Sequence, residues 1–471
     1  VKTTQVVDTL IIIQQMMTIV GRTRLLARTR VRIIEVGGLI ADFHSKGEST
    51  VMKVTIIAPG SRGDVQPYVA LGKGLKEAGH GVRVLASQDF QNLVMAYGLE
   101  FFDMGGSIET VAQSMQGLLE QGNFIRILSS MGSAAQCLVG QAAVNGLVAC
   151  QGSDLIIGGL GGVFVGLALS EKLGIPFVQA YLYPFTPTRE FPSVLSPLPQ
   201  TRLPSWANSL SHRLAQQMMW QTFRAADNKA RGQVLQIAPA PFWGPFASLE
   251  QQEQTILYGY SPQVIPFPKD WGNFIHVTGY WFLEPSAGWD PPIDFVDFLQ
   301  SGPPPVYIGF GSMVNKKPEE TADLVLQALA RTGQRGVLSS GWGDLKKDEL
   351  PETVFMIGSM PHSWLFPRMA AVVHHGGVGT TAAGLWAGIP AIVTPYFGDQ
   401  PFWGQRIYEL GVGPRPIPRQ RLTVDRLAES IRCALSDTAM RDKAARLGER
   451  IRAENGIARA VAIIEQNGGH K

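Results

Sequence analysis

Twice along this chain a short, β-branched apolar run ends at a glycine turn and passes into a helix, and the second series starts afresh after a proline-rich break. In the first, Val54 to Ala58 ends at Pro59-Gly60, Val65 to Ala78 reads as a helix stopped by Gly79, and Val82 to Leu85 is the next strand. Further strands are expected at 155–157 and 177–180, with a helix from Val163 to Leu173 between them. In the second series, the strand Val306 to Phe310 leads through Gly311-Ser312 to a helix over Pro318 to Thr332. Strands near 336–339, 354–356, 371–374 and 391–393 follow, with a helix from Thr380 to Ala387 before the last. Strand–helix–strand succession obliges the strands to run parallel under a cover of helices. The fold class is therefore α/β, with two Rossmann-like domains facing each other. Ligands of such sheets bind at the carboxyl ends of the strands, so the cleft between the domains is where a site is expected.

At 471 residues the chain exceeds one ordinary core. Residues 52–288 are expected to form the first domain, 289–303 a linker beginning at Trp289-Asp290-Pro291-Pro292, and 304–450 the second domain. Residues 451–471 are expected to be a helix that packs back on the first domain. The chain begins at Val1, and Met52-Lys53 directly precedes a clean strand, so 1–51 are expected to be a leader or a mis-assigned extension. An arginine-rich targeting segment is the rival reading, weakened by Asp8, Glu35 and Asp42. A hydrophobic share of 45% with 17% charged residues fits a globular chain, and a net charge of +3 does not argue for nucleic acid. Cys137, Cys150 and Cys433 are too scattered for a disulfide framework or a zinc knuckle, and are expected as buried thiols in a reducing compartment, with a cytoplasmic location. No stretch reaches the roughly 18 uninterrupted apolar residues of a membrane span. Peripheral membrane contact stays open, because Arg213, Arg224, Lys229 and Arg231 lie near an amphipathic helix expected over 210–233.

The most informative segment is His374-His375-Gly376-Gly377-Val378-Gly379-Thr380-Thr381. It follows a buried strand and opens a helix, where free N–H groups and the helix dipole favour an anion. Thr380 and Thr381 add hydroxyl donors, and His375 offers a hydrogen bond or a positive charge to a diphosphate. After the next strand comes Gly398-Asp399-Gln400-Pro401, a carboxylate and an amide suited to sugar hydroxyls. Asp399 reads equally well as a helix cap, with Pro401 in the first turn. His374 and His375 point to opposite faces of a strand and do not form a zinc pair; there is no Asp-x-Asp, and no metal or other cofactor is expected.

The run from Pro361-His362-Ser363-Trp364-Leu365 through His375-Gly376-Gly377 to Asp399-Gln400-Pro401-Phe402-Trp403 resembles the donor signature of family 1, GT-B-fold glycosyltransferases. Its wording is most similar to sterol 3-beta-glucosyltransferases and to glycopeptide-antibiotic glycosyltransferases, and the likeness extends from Met52 to the C-terminus. The resemblance implies a GT-B fold and places His375, Gly377, Val378, Gly379, Thr380 and Ser312 around the diphosphate of UDP. It implies Asp399 and Gln400 on the glucose hydroxyls, and Ser340, Trp342 and Met360 at the uracil. Plant-type relatives carry a stacking Trp where this chain has Ser359, which puts the partner of the base in doubt.

In the first domain, Gly60-Ser61-Arg62-Gly63-Asp64 occupies the first strand-to-helix turn. A carboxylate there faces the cleft and could accept a proton from an attacking hydroxyl, and equally could cap the helix. The resemblance favours Asp64 as the catalytic base, with Arg62 as possible support for the diphosphate or the Asp64 loop. His80, at the far end of that helix, is the weaker candidate. The expectation is thus an inverting, metal-independent transfer of glucose from UDP-glucose to a lipophilic acceptor, a sterol, polyketide or phenol. Tyr181, Tyr183, Phe185, Phe191, Met218, Met219 and Trp220 are candidates to line the acceptor pocket. The alternatives are a nucleotide-sugar epimerase and a catalytically silent UDP-sugar binder.

Overall fold

The computed structural model describes residues 51–106, 124–196, 203–311, 318–339 and 350–468, and residues from Val51 onward form one compact unit. The first sheet comprises β1 (Lys53–Ile57), β2 (Gly81–Ala86), β3 (Glu100–Asp103), β4 (Leu155–Gly158), β5 (Phe177–Tyr181), β6 (Ile256–Tyr258) and β7 (Ile275–Val277). Its strands are parallel, in the order β3-β2-β1-β4-β5-β6-β7. The second sheet comprises β8 (Val306–Gly309), β9 (Gly336–Ser339), β10 (Val354–Ile357), β11 (Ala371–His374) and β12 (Ala391–Val393), parallel in the order β10-β9-β8-β11-β12. All residues of β4, β5, β8 and β11 are buried, which is why these strands read as nearly unbroken apolar runs instead of alternating ones.

The helices that position the site are α1 (Arg62–Glu77), α2 (Phe124–Ala149), α3 (Val163–Leu173), α4 (Ser205–Ala230), α5 (Pro318–Thr332), α6 (Val378–Ala387), α7 (Gln400–Leu410), α8 (Val424–Ser436), α9 (Thr438–Arg452) and α10 (Gly456–Gly468). The last of these packs on α1, where Gly74 leaves room for Ile457. There His80, almost fully buried, accepts a hydrogen bond from the Met52 N–H at 3.2 Å and lies 3.2 Å from Glu465. His80 therefore ties the chain end to β1 and is remote from any role as a base.

Strand order reverses between β1 and β4 in one sheet and between β8 and β11 in the other. Connections on either side of such a reversal leave to opposite faces, so a crevice opens at the carboxyl ends of those strands. Three strands, β3, β6 and β7, were not anticipated. The last two are three residues long and lie where proline and aromatic side chains mask any period. The expected linker contains a helix, Ile293–Gln300, because Phe295 is fully buried against Phe355, 5.1 Å between ring centres. Cys150 is buried as expected, Cys433 is half-buried, and the Cys137 side chain lies outside the described residues.

Candidate active site

Two strand-to-helix turns, one from each sheet, meet at the reversals. A methyl group added to Gly379, in the first turn of α6, would lie 3.4 Å from the Cα of Gly63 in the first turn of α1. Arg62 Nη1 donates a hydrogen bond to Ser359 Oγ across the same junction. Arg62 also donates to Gln66 at 3.3 Å, and among the described residues no hydrogen bond or ion pair joins it to Asp64. The position where plant-type relatives carry a tryptophan is therefore taken up by a hydroxyl that binds the opposite domain.

In the first turn, Ser61 is the N-cap of α1 and Asp64 its third residue. Asp64 Oδ2 accepts the Ser61 N–H at 2.8 Å and the Ser61 hydroxyl at 2.9 Å, a capping arrangement that fixes the side chain. Gly60 has φ +123°, and a side chain there would meet Asp64 Oδ2 at 2.6 Å, so only glycine lets the carboxylate lie back on its own turn. Both readings of Asp64 hold some ground: Oδ2 caps the helix, and Oδ1 has no hydrogen-bond partner among the described residues. Burial raises its pKa, with the two Ser61 hydrogen bonds opposing.

In the second turn, His374 is fully buried and its Nδ1 accepts the Gly376 N–H at 3.1 Å. Gly376 has φ +92°, and a Cβ would meet Val393 at 2.8 Å. His375 turns the other way; the two rings are 6.5 Å apart and perpendicular. The His375 ring is packed between Gly311 and Gly377, positions where a Cβ would strike it. Burial lowers the His375 pKa to about 4, which leaves the ring uncharged near neutral pH and able to donate a hydrogen bond. Gly377 caps α6 without a side-chain bond, and the first turn carries no acidic residue, so its N–H groups and dipole are free for an anion. Val378 is buried, Gly379 and Thr380 are half-exposed at this end, and Thr381 is fully buried and does not reach the mouth. Ser312, Ser340 and Trp342 lie outside the described residues; Met360 is half-buried beside Ser359.

Asp399 occupies the N-cap position of α7, but its side chain makes no cap. Instead Oδ2 accepts the indole N–H of the fully buried Trp403 at 2.8 Å. Its pKa is raised to about 7, by burial first, with the Asp64 charge adding and the Trp403 bond opposing. The Asp64 charge is thus felt at Asp399 across the junction. Gln400 is buried, and its Oε1 accepts from the N–H groups of Tyr396 at 2.8 Å and Phe397 at 3.3 Å, holding the loop before Asp399. Among the described residues, no group of three or more His, Cys, Asp or Glu is arranged to hold a metal.

Of the acceptor candidates, Tyr181, Phe185 and Trp220 are core residues, each at most 2% exposed. The cavity beside Tyr181 and Phe185 holds only about 20 Å³, enough for a water and not for a ring system. Phe191 is half-buried, 6.5 Å from Phe402 of α7. Tyr183, expected only as an apolar wall, has more to offer. It lies two residues past the end of β5, half-buried, and its phenol pKa is raised by burial, then by Asp399 and Asp64. Its hydroxyl has no hydrogen-bond partner among the described residues. The crevice rule at strand ends was the signal that could have singled out this hydroxyl.

The Glycosyltransferase family 28 N-terminal domain matches residues 54–192, and the Erythromycin biosynthesis protein CIII-like C-terminal domain matches residues 323–465. Over 431 residues, 88% of the chain, the sequence is 38% identical to a sterol 3-beta-glucosyltransferase of Arabidopsis thaliana, 68% of which is covered. The chain belongs to the sterol 3-beta-glucosyltransferase family. A second sterol 3-beta-glucosyltransferase of that plant is 35% identical, with 87% of this chain and 64% of the relative covered. One from Cryptococcus neoformans is 37% identical over 88% of this chain but only 27% of its own length. Solved structures agree on the fold. The glycosyltransferase SnogD from Streptomyces nogalater superposes with a TM-score of 0.58 at 21% identity, covering 89% of this chain and all of that one. The glycosyltransferase VinC, in complex with DTDP, gives 0.60 at 18% identity, with the same coverage. This sterol 3-beta-glucosyltransferase family member thus has the GT-B fold of a glycosyltransferase.

Proposed function

We propose that the protein transfers glucose from UDP-glucose to the hydroxyl of a sterol or sterol-like acceptor, with inversion and without a metal. The observation that carries this reading is the contact of the two turns through Gly63 and Gly379, which sets a half-engaged carboxylate beside an uncapped helix N-terminus. A base and a leaving-group site from different domains are what a single in-line displacement needs. The sterol acceptor and the glucose donor are supported by the names of the relatives.

The acceptor O–H gives its proton to Asp64 Oδ1 as its oxygen bonds to the anomeric carbon. The bond from that carbon to the diphosphate oxygen breaks, and UDP leaves with the electron pair. Its charge is met by the N–H groups at Gly377, Val378, Gly379 and Thr380, by the Thr380 hydroxyl and by the His375 ring. Asp399 accepts from sugar hydroxyls, steadied by Trp403, and Gln400 stands behind it. Ser312 belongs to the diphosphate site, and Ser340, Trp342 and Met360 to the uracil pocket. Arg62 keeps the cleft closed through Ser359. Domain boundaries at 52–288, 289–303 and 304–450, with 451–471 returning to the first domain, fit this division of labour. Residence in the cytoplasm with peripheral membrane contact belongs to the same reading, since an acceptor of this kind partitions into bilayers.

The test is incubation with UDP-glucose and a panel of sterols, flavonoids and macrolides delivered by cyclodextrin, with and without EDTA, read by mass spectrometry. Hexose adducts on sterols, unaffected by EDTA and lost in Asp64→Asn, are expected. UDP-glucose binding without any adduct would point to the silent binder, and a changed sugar on UDP without acceptor to the epimerase.

A further inference from the structure

Among the described residues, five of the large apolar side chains most exposed to solvent gather on α4 and the loop that packs on it. Trp206 is 70% exposed, Leu210 46% and Leu214 53%, at a spacing of four residues, so they line one face. Phe242 and Trp243, 56% and 73% exposed, continue the line, because Gln217 and Gln221 of α4 both donate to the Phe242 carbonyl, at 3.4 and 2.8 Å. The two rings meet edge to face at 5.1 Å. From Trp206 to Gln221 the ridge extends about 22 Å. Its charges are of one sign: Arg213 is exposed, and Arg224 lies over the Phe242 ring at 4.7 Å. Between Pro204 and Ala226 there is no carboxylate, and residues 238–245 are uncharged. Arg231 does not contribute, being buried and paired with Glu171.

The geometry points to this ridge as the surface by which the protein docks on an anionic lipid bilayer to collect its acceptor, an inference that rests on the lipophilic acceptor proposed above. Tryptophans at both ends, aliphatic side chains between them and arginines with no carboxylate in the adjoining sequence suit the headgroup boundary. A second copy of this chain is a poor occupant, since it would set arginines against arginines with no carboxylate to pair them. The opposite side of α4 holds the loop at the cleft. Asn208 donates to the Arg189 carbonyl at 2.9 Å, the His212 ring binds the Phe191 carbonyl at 3.0 Å, and Gln216 donates to the Phe185 carbonyl at 3.2 Å. Phe191 faces Phe402, two residues past Gln400, so the docking helix and the donor side share one wall.

The full chain is floated with phosphatidylcholine vesicles with and without phosphatidylserine, beside a Trp206→Ser/Leu210→Ser/Trp243→Ser variant and an Arg213→Glu/Arg224→Glu variant. Binding to the anionic vesicles is expected to fall about tenfold or more in each variant. Transfer to sterol held in those vesicles should fall in parallel, while transfer to cyclodextrin-delivered sterol stays unchanged. Flotation equal in wild type and both variants, or no flotation of the wild type, overturns the inference. So does a concentration-dependent dimer that the serine variant dissolves. Loss of transfer to cyclodextrin-delivered sterol by the wild type would instead sink the acceptor assignment, whatever the flotation shows.

Discussion

The turns after β1 and β11 share one architecture and differ in one choice. Each leads from a buried parallel strand through a positive-φ glycine into a helix that starts at the cleft. On α1 the third helical residue is Asp64, whose carboxylate closes the turn on Ser61. On α6 the third residue is Thr380, the cap is a glycine, and no acidic side chain meets the dipole. A helix that carries its own anion has no use for another, and a helix without one invites it. In the proposed mechanism the same local fold serves the base at one turn and the leaving diphosphate at the other.

Asp64→Asn tests the first half of that contrast most severely. The amide oxygen keeps the Ser61 N–H bond, so the melting temperature should move little, while kcat falls about 10²- to 10⁴-fold and UDP affinity holds. An activity close to wild type would leave Asp64 as a cap alone. The second half is tested by Thr380→Asp, which gives α6 the residue that α1 carries. Helix stability should be kept or slightly raised, while UDP binding, measured by calorimetry, weakens about 100-fold through repulsion of the diphosphate. Unchanged UDP affinity would mean that this helix end is not the phosphate site.

Most of the second sheet was legible because its strands are buried on both faces and its helices have regular periods. The bounds expected for β9, β11, β12 and α5 match those observed. Asp64, His375 and Asp399 stood out because each lies where a strand passes into a helix and matches the glycosyltransferase pattern, although both aspartates also read as caps. Other features depend on contacts between distant segments and leave no local period: the Arg62–Ser359 bridge, the pairing of Trp403 with Asp399, and the free hydroxyl of Tyr183. The burial of Tyr181, Phe185 and Trp220 has the same origin, since an aromatic in a loop reads alike whether it lines a pocket or fills a core.

Asp399 sharpens the comparison from the side of the second carboxylate. Its pKa is raised to about 7 from an ordinary 3.8. Between those values the folded protein holds a proton that the unfolded chain has lost, so this group's contribution to stability declines as pH rises and is lowest above about 7. Asp399→Asn should therefore raise the melting temperature relative to wild type at pH 8 and hardly at all near pH 4. The same variant should raise the KM for UDP-glucose about 10- to 100-fold, the worth of one charged hydrogen bond or slightly more. In wild type that KM should rise as pH falls below about 7, a trend the variant lacks. A KM that is flat with pH in both proteins would take Asp399 off the sugar.

The smallest effect is the uptake of a proton. Burial disfavours the charge of His375 and lowers its pKa to about 4, and His362, stacked on Phe366, is lowered to about 4 by burial and by Arg62 and His375. His374 is also lowered, by burial first and then by His375 and His362. A diphosphate at the mouth of α6 reverses the balance for the nearest ring, raising its pKa toward neutrality. UDP binding should then draw a fraction of a proton from the buffer, more at pH 6 than at pH 8. Calorimetry in buffers of different ionisation enthalpy reads that number directly. His375→Gln should abolish it and Asp64→Asn leave it intact, since burial and not the Asp64 charge sets the His375 pKa. Uptake that survives His375→Gln would move the phosphate contact to His362.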